Sequence, residues 1–125
     1  MATSITTLSS QFEDVIIQDT NTDENIKNDI TQGTGSVYSI QVANGIGSTS
    51  IFFKIYDGNS AVVGTTEPIF IMKVAASATK QLIIPDGMPF TTGLCYCTTD
   101  QNGSQGAGGG YSSASGNVTV RIVTS

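Results

Sequence analysis

The chain has 125 residues, which suits one domain built around a single core. Its formal net charge is −5 at pH 7, with only five basic residues. This argues against nucleic acid as a partner, because phosphate recognition needs clustered lysine and arginine. Charged residues make up only 12% of the chain, so serine, threonine, asparagine and glycine supply the polar surface, and they favour strands and turns over helices.

Residues 1–35 differ in composition from the rest of the chain. They hold six of the ten acidic residues and one short apolar cluster, Val15, Ile16 and Ile17, which predicts a strand over residues 14–18. We therefore expect an extended amino-terminal arm, whose apolar cluster contacts a partner by adding a strand to it. The alternative is a helix over residues 22–30, although it would present only two apolar residues on one face.

From residue 36 onward, apolar and polar residues alternate with the period of a β-strand. Strands are predicted at 36–43, 51–57, 69–75, 80–85, 93–99 and 117–124. In the strand at 51–57 the pattern places Ile51, Phe53 and Ile55 on one face, and in the last strand it places Val118, Val120 and Ile122 inward and Arg121 outward. The strand at 69–75 is apolar on both faces except for Lys73, which is typical of a central strand. Turn signals separate the strands, at residues 44–45, 57–58, 85–87 and 102–103.

This pattern predicts an all-β fold. We expect residues 36–125 to form an antiparallel β-sandwich of the jelly-roll kind, with a barrel as the alternative. Phe53 and Ile71 are expected in the core of this domain.

The residue types do not predict catalysis. The chain contains no histidine, which excludes a Ser–His–Asp site and leaves a cysteine nucleophile without its usual base. Cys95 and Cys97 lie two apart in a predicted strand and are expected to be buried free thiols, because a zinc site would need two further ligands. Asp57 and Asp86 adjoin turn glycines, where aspartate is favoured for its backbone contacts. No catalytic residue, metal or cofactor is expected, and a hydrolase using paired carboxylates is the weaker alternative.

The remaining features concern surfaces and location. Residues 100–116 form a long glycine-rich loop of low complexity that contains Tyr111. Tyr56, Tyr96 and Tyr111 are expected to be exposed, and Tyr56 and Tyr111 are candidate contacts to a partner, since tyrosine is enriched at interfaces. The chain has neither the pattern of a signal peptide nor an apolar run of about 18 residues, so we expect synthesis in the cytoplasm and no membrane contact.

Several motifs carry a resemblance to a known group of proteins. They are "KIYD" at 54–57, "VGTT" at 63–66 with Pro68 after it, "PDGMPFTTG" at 85–93, and the closing "VTVRIVTS". Together these resemble small virion structural proteins of tailed phages, especially phages of aquatic bacteria and cyanobacteria. The resemblance spans nearly the whole chain and its motifs are structural.

The resemblance implies a role in an assembled particle. It implies a β-sandwich on the virion capsid surface, made in the host cytoplasm, that acts as a decoration or cement protein. Its partners would be the major capsid protein and further copies of itself, as a homotrimer or homodimer. A head-fibre or tail-associated adhesive module that binds a receptor is the alternative.

Overall fold

The computed structural model describes residues 3–7, 15–20, 22, 25–28, 30, 33–62, 64–100 and 118–125. Over these ranges the chain forms eight β-strands and no helix. In chain order the strands are β1 (Thr3–Thr7), β2 (Val15–Asp19), β3 (Gly35–Asn44), β4 (Ile51–Asp57), β5 (Phe70–Val74), β6 (Thr79–Phe90), β7 (Leu94–Thr99) and β8 (Val118–Thr124).

The strands form two antiparallel sheets. The larger sheet has the order β1-β2-β8-β3-β6 and the smaller one the order β5-β4-β7. Side chains from both sheets meet in one apolar core, which includes Ile17, Val37, Ile40, Val42, Ile51, Phe53, Ile55, Met72, Val74, Val118, Val120 and Ile122. The chain is therefore all-β, with two sheets packed face to face.

Alternation along the strands explains which residues enter the core. In β8, Val118, Val120 and Ile122 are buried, whereas Arg121, between two of them, is exposed. This is the arrangement predicted from the period-two pattern, because successive side chains of a strand point to opposite faces. β4 alternates in the same way and sends Ile51, Phe53 and Ile55 into the core, although Lys54 and Tyr56 on its other face are also buried. The ring of Phe53 is fully buried with its centroid 5.9 Å from that of Tyr96.

The amino-terminal segment does contain the expected strand, but the strand is not free. β2 pairs with β1 on one side and with β8 on the other, and Ile17 is buried opposite Ile122. Both hydrogen-bonding edges of β2 are thus occupied within the chain. The expectation that Val15, Ile16 and Ile17 add a strand to a partner is therefore wrong.

The alternative helix over residues 22–30 is also absent from the described residues of that segment. Lys27 instead forms an isolated bridge with Tyr96, with backbone hydrogen bonds of 2.9 and 3.1 Å in the two directions. The amide of Ile30 donates to the carbonyl of Leu94 at 2.9 Å. This short extended stretch covers the outer edge of β7, where the backbone groups would otherwise lack partners.

Two predictions about strand position are wrong. β5 lies at the edge of the smaller sheet, and β4 occupies its centre. Residues 85–87, predicted as a turn between strands, lie inside β6. Ser39 pairs with Ile83 and Val37 pairs with Met88, so residues 84–87 bulge out opposite Tyr38.

The bulge explains why turn residues occur within a strand. Gly87 has a φ of +80°, in the left-handed region that favours glycine. A Cβ atom there would lie 2.9 Å from the ring of Tyr38 and 2.9 Å from Cβ of Ser36. The turn residues at 85–87 did indicate a local irregularity of the backbone. The irregularity is a bulge within the edge strand β6 and not a turn between two strands.

Core packing predicts a difference between two substitutions. Phe53→Ala should lower the free energy of unfolding by about 3–5 kcal/mol, because it leaves a cavity between the sheets. Ile71→Ala should cost clearly less, since Ile71 is half-buried on the face of the edge strand β5 that points away from the core. Urea denaturation of both variants measures the two losses, and equal losses would contradict the two-sheet core.

Candidate functional site

The side of the larger sheet that points away from the core, here called the outer face, carries a row of exposed polar side chains. Gln18 of β2 pairs with Arg121 of β8, Arg121 pairs with Gln41 of β3, and Gln41 pairs with Gln81 of β6. All four side chains are exposed. Because directly paired residues point to the same face, these four form one continuous polar row across four strands.

A second row, here called the apolar row because three of its four members are apolar, runs beside the polar row. Ile16, Val123, Ser39 and Ile83 are paired in the same way on the same four strands. Ile83 is 60% exposed, and Ile16 and Val123 are half-buried. The two rows are about 7 Å apart along the strands, since they are separated by two residues. The outer face thus presents apolar and polar side chains side by side on a paired, hydrogen-bonded sheet.

A shallow cavity of about 190 Å³ lies within the outer face. It is lined by Gln18, Gln41, Ala43, Thr119 and Arg121. Thr119 and Ala43 are a directly paired couple next to the polar row, and their small side chains leave the space between the longer ones. The cavity therefore brings a guanidinium and two amides together above small residues.

The charges on the outer face are simple. Arg121 is its only cation among the described residues, and no described residue forms an ion pair or hydrogen bond with its guanidinium. Lys80 points elsewhere, since its Nζ donates to the carbonyl of Lys73 at 2.8 Å. The cavity can bind a hydrogen-bond acceptor, because its guanidinium and its two amides all present N–H donors.

The tyrosines behave differently from the expectation. Tyr56 and Tyr96 are buried, with 0% and 1% of their surface exposed, so the predicted exposure of both is wrong. Tyr56 lies on the side of the smaller sheet that points away from the core, where Ala61, Cys95 and Cys97 pack around it. A side chain without exposed surface cannot be a surface contact, which removes Tyr56 from the candidate partner contacts. Tyr111 lies outside the described residues.

Tyr96 joins the two sheets. Its hydroxyl donates to Oδ2 of Asp19, at the end of β2, over 3.0 Å. Just beyond, the Thr22 and Thr98 hydroxyls are hydrogen-bonded, and the amide of Thr22 donates to the carbonyl of Val118 at 3.0 Å. The predicted acidic arm is therefore held to both sheets at Asp19 and Thr22.

A buried polar cluster fills the far side of the smaller sheet. The thiol of Cys95 donates to the carbonyl of Gly58 at 3.1 Å, and the Tyr56 hydroxyl lies 3.6 Å from Sγ of Cys97. Burial raises the pKa of Tyr56, and the neighbouring Cys97 raises it further. Both cysteines are free and buried, as predicted.

Lys54 belongs to the same cluster and is fully buried. Burial lowers its pKa from the usual value, and the nearby Cys97 and Asp100 oppose this shift. A thiol or amine must be reachable to act on a substrate, and these side chains are covered. The cluster is therefore assigned to the packing of the smaller sheet.

Asp57 closes a turn across the sheet. Its carboxylate accepts hydrogen bonds from the amides of Thr91 and Thr92, both at 2.8 Å, and from the amide of Gly93 at 3.3 Å. The hydroxyl of Thr91 donates to it as well, at 3.0 Å. Burial alone would raise the pKa of Asp57, but these hydrogen bonds to the charged form outweigh it and lower the pKa. The sequence predicted a turn aspartate, and the structure places its partners more than thirty residues away.

Comparisons with family models, with curated proteins and with solved structures found no match to this chain. Across the described residues, no group of three or more acidic or cysteine side chains is arranged to hold a metal ion. The same residues include no helix long and apolar enough to cross a membrane.

The sequence alone did not reveal the outer face. Alternation in β8 predicted that Arg121 points outward, but the alignment of Gln18 and Gln41 beside it depends on register between strands distant in sequence. The only available signal was that each glutamine occupies a polar position within an alternating strand.

Burial of the two thiols is testable by alkylation. In the native protein, iodoacetamide should modify Cys95 and Cys97 at least about a thousandfold more slowly than in the unfolded chain, because reaction requires opening of the fold. The single variants Cys95→Ser and Cys97→Ser assign the rates by mass spectrometry. A native thiol that reacts as fast as in urea would contradict its burial.

We expect the contribution of Asp57 to the free energy of unfolding to depend on pH. Asp57→Asn should lower the free energy of unfolding near pH 7 by about 1–3 kcal/mol, because the carboxylate accepts four hydrogen bonds. The pKa of Asp57 is lower in the folded state than its ordinary value of 3.8, so its stabilisation is present above that pH and is lost as pH falls through the folded pKa.

The wild type and Asp57→Asn should therefore converge in strongly acidic solution. Urea denaturation over a pH series measures the difference between them. A constant difference from neutral to strongly acidic pH would show that the charge of Asp57 does not stabilise the turn.

Proposed function

We propose that this protein is a structural protein of a phage virion, a decoration protein that binds the outer surface of the major capsid protein shell and stabilises it. The observation that carries the proposal is the outer face, a paired sheet surface with an apolar row beside a polar row. The ionisable groups around Tyr56, Lys54 and Asp57 are engaged in packing and turn formation, which fits a protein that acts by contact and is not an enzyme.

We further propose that the fold is a jelly roll with one added strand. In a jelly roll the strands pair in a nested way, first with last and so on inward, across two sheets. Here β2 pairs with β8, the Lys27 bridge with β7, β3 with β6, and β4 with β5. β1 is then the addition, and the Lys27 stretch is a strand reduced to a single bridge.

This topology supports the proposed role by analogy of fold. Jelly rolls occur in viral capsid proteins and in lectins, so the fold is compatible with a virion protein and with a glycan-binding module. The motifs quoted from the sequence favour the virion protein. A head-fibre or tail-associated receptor-binding module remains the second candidate, and the experiment below separates the two.

The outer face suits repeated attachment to a shell. An interface typically combines an apolar centre with polar side chains around it, and the apolar row and the polar row of the outer face supply both. A capsid offers the same contact many times, so association of this protein with itself as a trimer or dimer would add avidity to individually modest contacts. The near absence of charge on this face limits the cost of removing water from it.

Ile83 gives the sharpest test of docking. Ile83→Asp should weaken binding to particles depleted of this protein by about tenfold or more, because it places a charge in the apolar row. Ile69→Asp is the matched control, since Ile69 is also exposed, at 46% against 60%, and lies beside the smaller sheet. The amount bound per particle, measured by sedimentation, and the thermal stability of the particles are the readouts.

Three outcomes are informative. Loss of binding and of thermal protection for Ile83→Asp alone supports the proposal. Equal loss for both variants would show that the outer face is not the docking surface. If particles without the protein withstand heat normally but fail to adsorb to host cells, the adhesive module replaces the decoration protein.

A further inference from the structure

We propose that the cavity around Arg121 is a carboxylate-binding site that receives an aspartate or glutamate side chain of the partner protein. The proposed function supplies the identity of that partner, and this inference rests on it to that extent. The chemistry of the site rests on the cavity itself, which holds one guanidinium and two amides without a carboxylate among the described residues.

The donor set matches a carboxylate. An arginine guanidinium presents planar N–H groups that fit the two oxygens of a carboxylate in parallel hydrogen bonds. Gln18 and Gln41 flank Arg121 on the two neighbouring strands, with Cβ atoms of such direct pairs about 4.5–5.5 Å apart. Each amide can donate one further hydrogen bond to an oxygen held by the guanidinium.

The shape of the cavity sets this arginine apart from an ordinary solvated one. Thr119 and Ala43 are small, so the long side chains of the polar row border a depression of about 190 Å³. A side chain that enters it is contacted from several sides and loses part of its water, which strengthens a charge-assisted hydrogen bond. An isolated arginine on a flat or convex surface offers no such enclosure.

Other anions fit less well. A polynucleotide presents many phosphates and needs several cations, whereas the outer face has one among its described residues and the chain carries a net charge of −5. A second copy docked face to face across a twofold axis would bring the two polar rows together. The guanidinium of Arg121 would then face that of the second copy, and like charges directly opposite each other are destabilising. A single carboxylate from a different protein has neither problem.

The two rows also specify the neighbourhood of that carboxylate. The apolar row lies about 7 Å from the polar row, which is the distance between residues i and i+2 of an extended chain. An acidic residue followed two positions later by an apolar residue would therefore place its carboxylate on Arg121 and its apolar side chain near Val123, which lies two residues further along the same strand. This defines the partner segment as an extended acidic–x–apolar stretch.

A peptide titration tests the site without the virus. The capped peptide Glu-Ser-Leu is added to the full chain, with Gln-Ser-Leu as its matched control, while NMR follows Hε of Arg121 and the side-chain amides of Gln18 and Gln41. We expect saturable shifts of these signals with the glutamate peptide only, and affinity about tenfold lower for Arg121→Gln. Lys73→Gln, which removes one charge from the smaller sheet, should bind as the wild type does.

Binding to depleted particles tests the same variants against the proposed partner. Arg121→Gln should bind these particles about tenfold more weakly than the wild type, and Arg121→Lys should recover only part of the affinity because it lacks the planar donors. If the peptide shifts appear but no variant, nor the wild type, binds particles, the carboxylate site stands and the capsid role fails.

The overturning results are equally specific. Shifts that also occur with the glutamine peptide would eliminate the carboxylate site, as would the absence of any shift. Shifts of the Gln18 and Gln41 amides that titrate with unchanged affinity in Arg121→Gln would eliminate it as well. Particle binding by the wild type that Arg121→Gln leaves unchanged would keep the capsid role and eliminate this contact. Self-association of the wild type that disappears in Arg121→Gln would assign the cavity to a second copy of the chain.

Discussion

The pairing of β8 between β2 and β3 is the constraint on which the rest of the structure depends. β8 lies in the middle of the larger sheet. Its alternation places Val118, Val120 and Ile122 in the core, while Arg121 points outward. A shift of one residue would exchange the two faces. The same register therefore determines the packing of the two sheets and the composition of the outer face.

The two sheets differ in the exposure of the sides that point away from the core. On the smaller sheet, Tyr56, Lys54 and the two cysteines are buried under neighbouring chain, which includes Ile26. The chain reaches that side by crossing from β2, where Asp19 and Thr22 bond to β7 residues. The larger sheet keeps exposed glutamines, Arg121 and Ile83 on its far side. Of the two sheets, the larger one therefore has the exposed side chains that could contact a partner.

Local patterns predicted the strands well, because period two is a property of each segment on its own. The strands at 51–57 and 117–124 were located to within a residue, and their inward residues were correct. The failures required information from elsewhere in the chain. Residues 85–87 form a bulge because β3 continues past them, and Tyr56 is buried because a distant segment covers it.

The candidate site shows the same limit more sharply. Gln18, Arg121 and Gln41 are polar residues of ordinary alternating strands, and each alone would be read as a solvated position. Their chemistry arises only when β8 is placed between β2 and β3, so that two amides flank one guanidinium over small side chains. A binding site of this kind forms only through the register between strands that are distant in sequence, so it does not appear as a sequence motif. In a chain without histidine and with few charges, it is through such composed surfaces that specificity for a partner can arise.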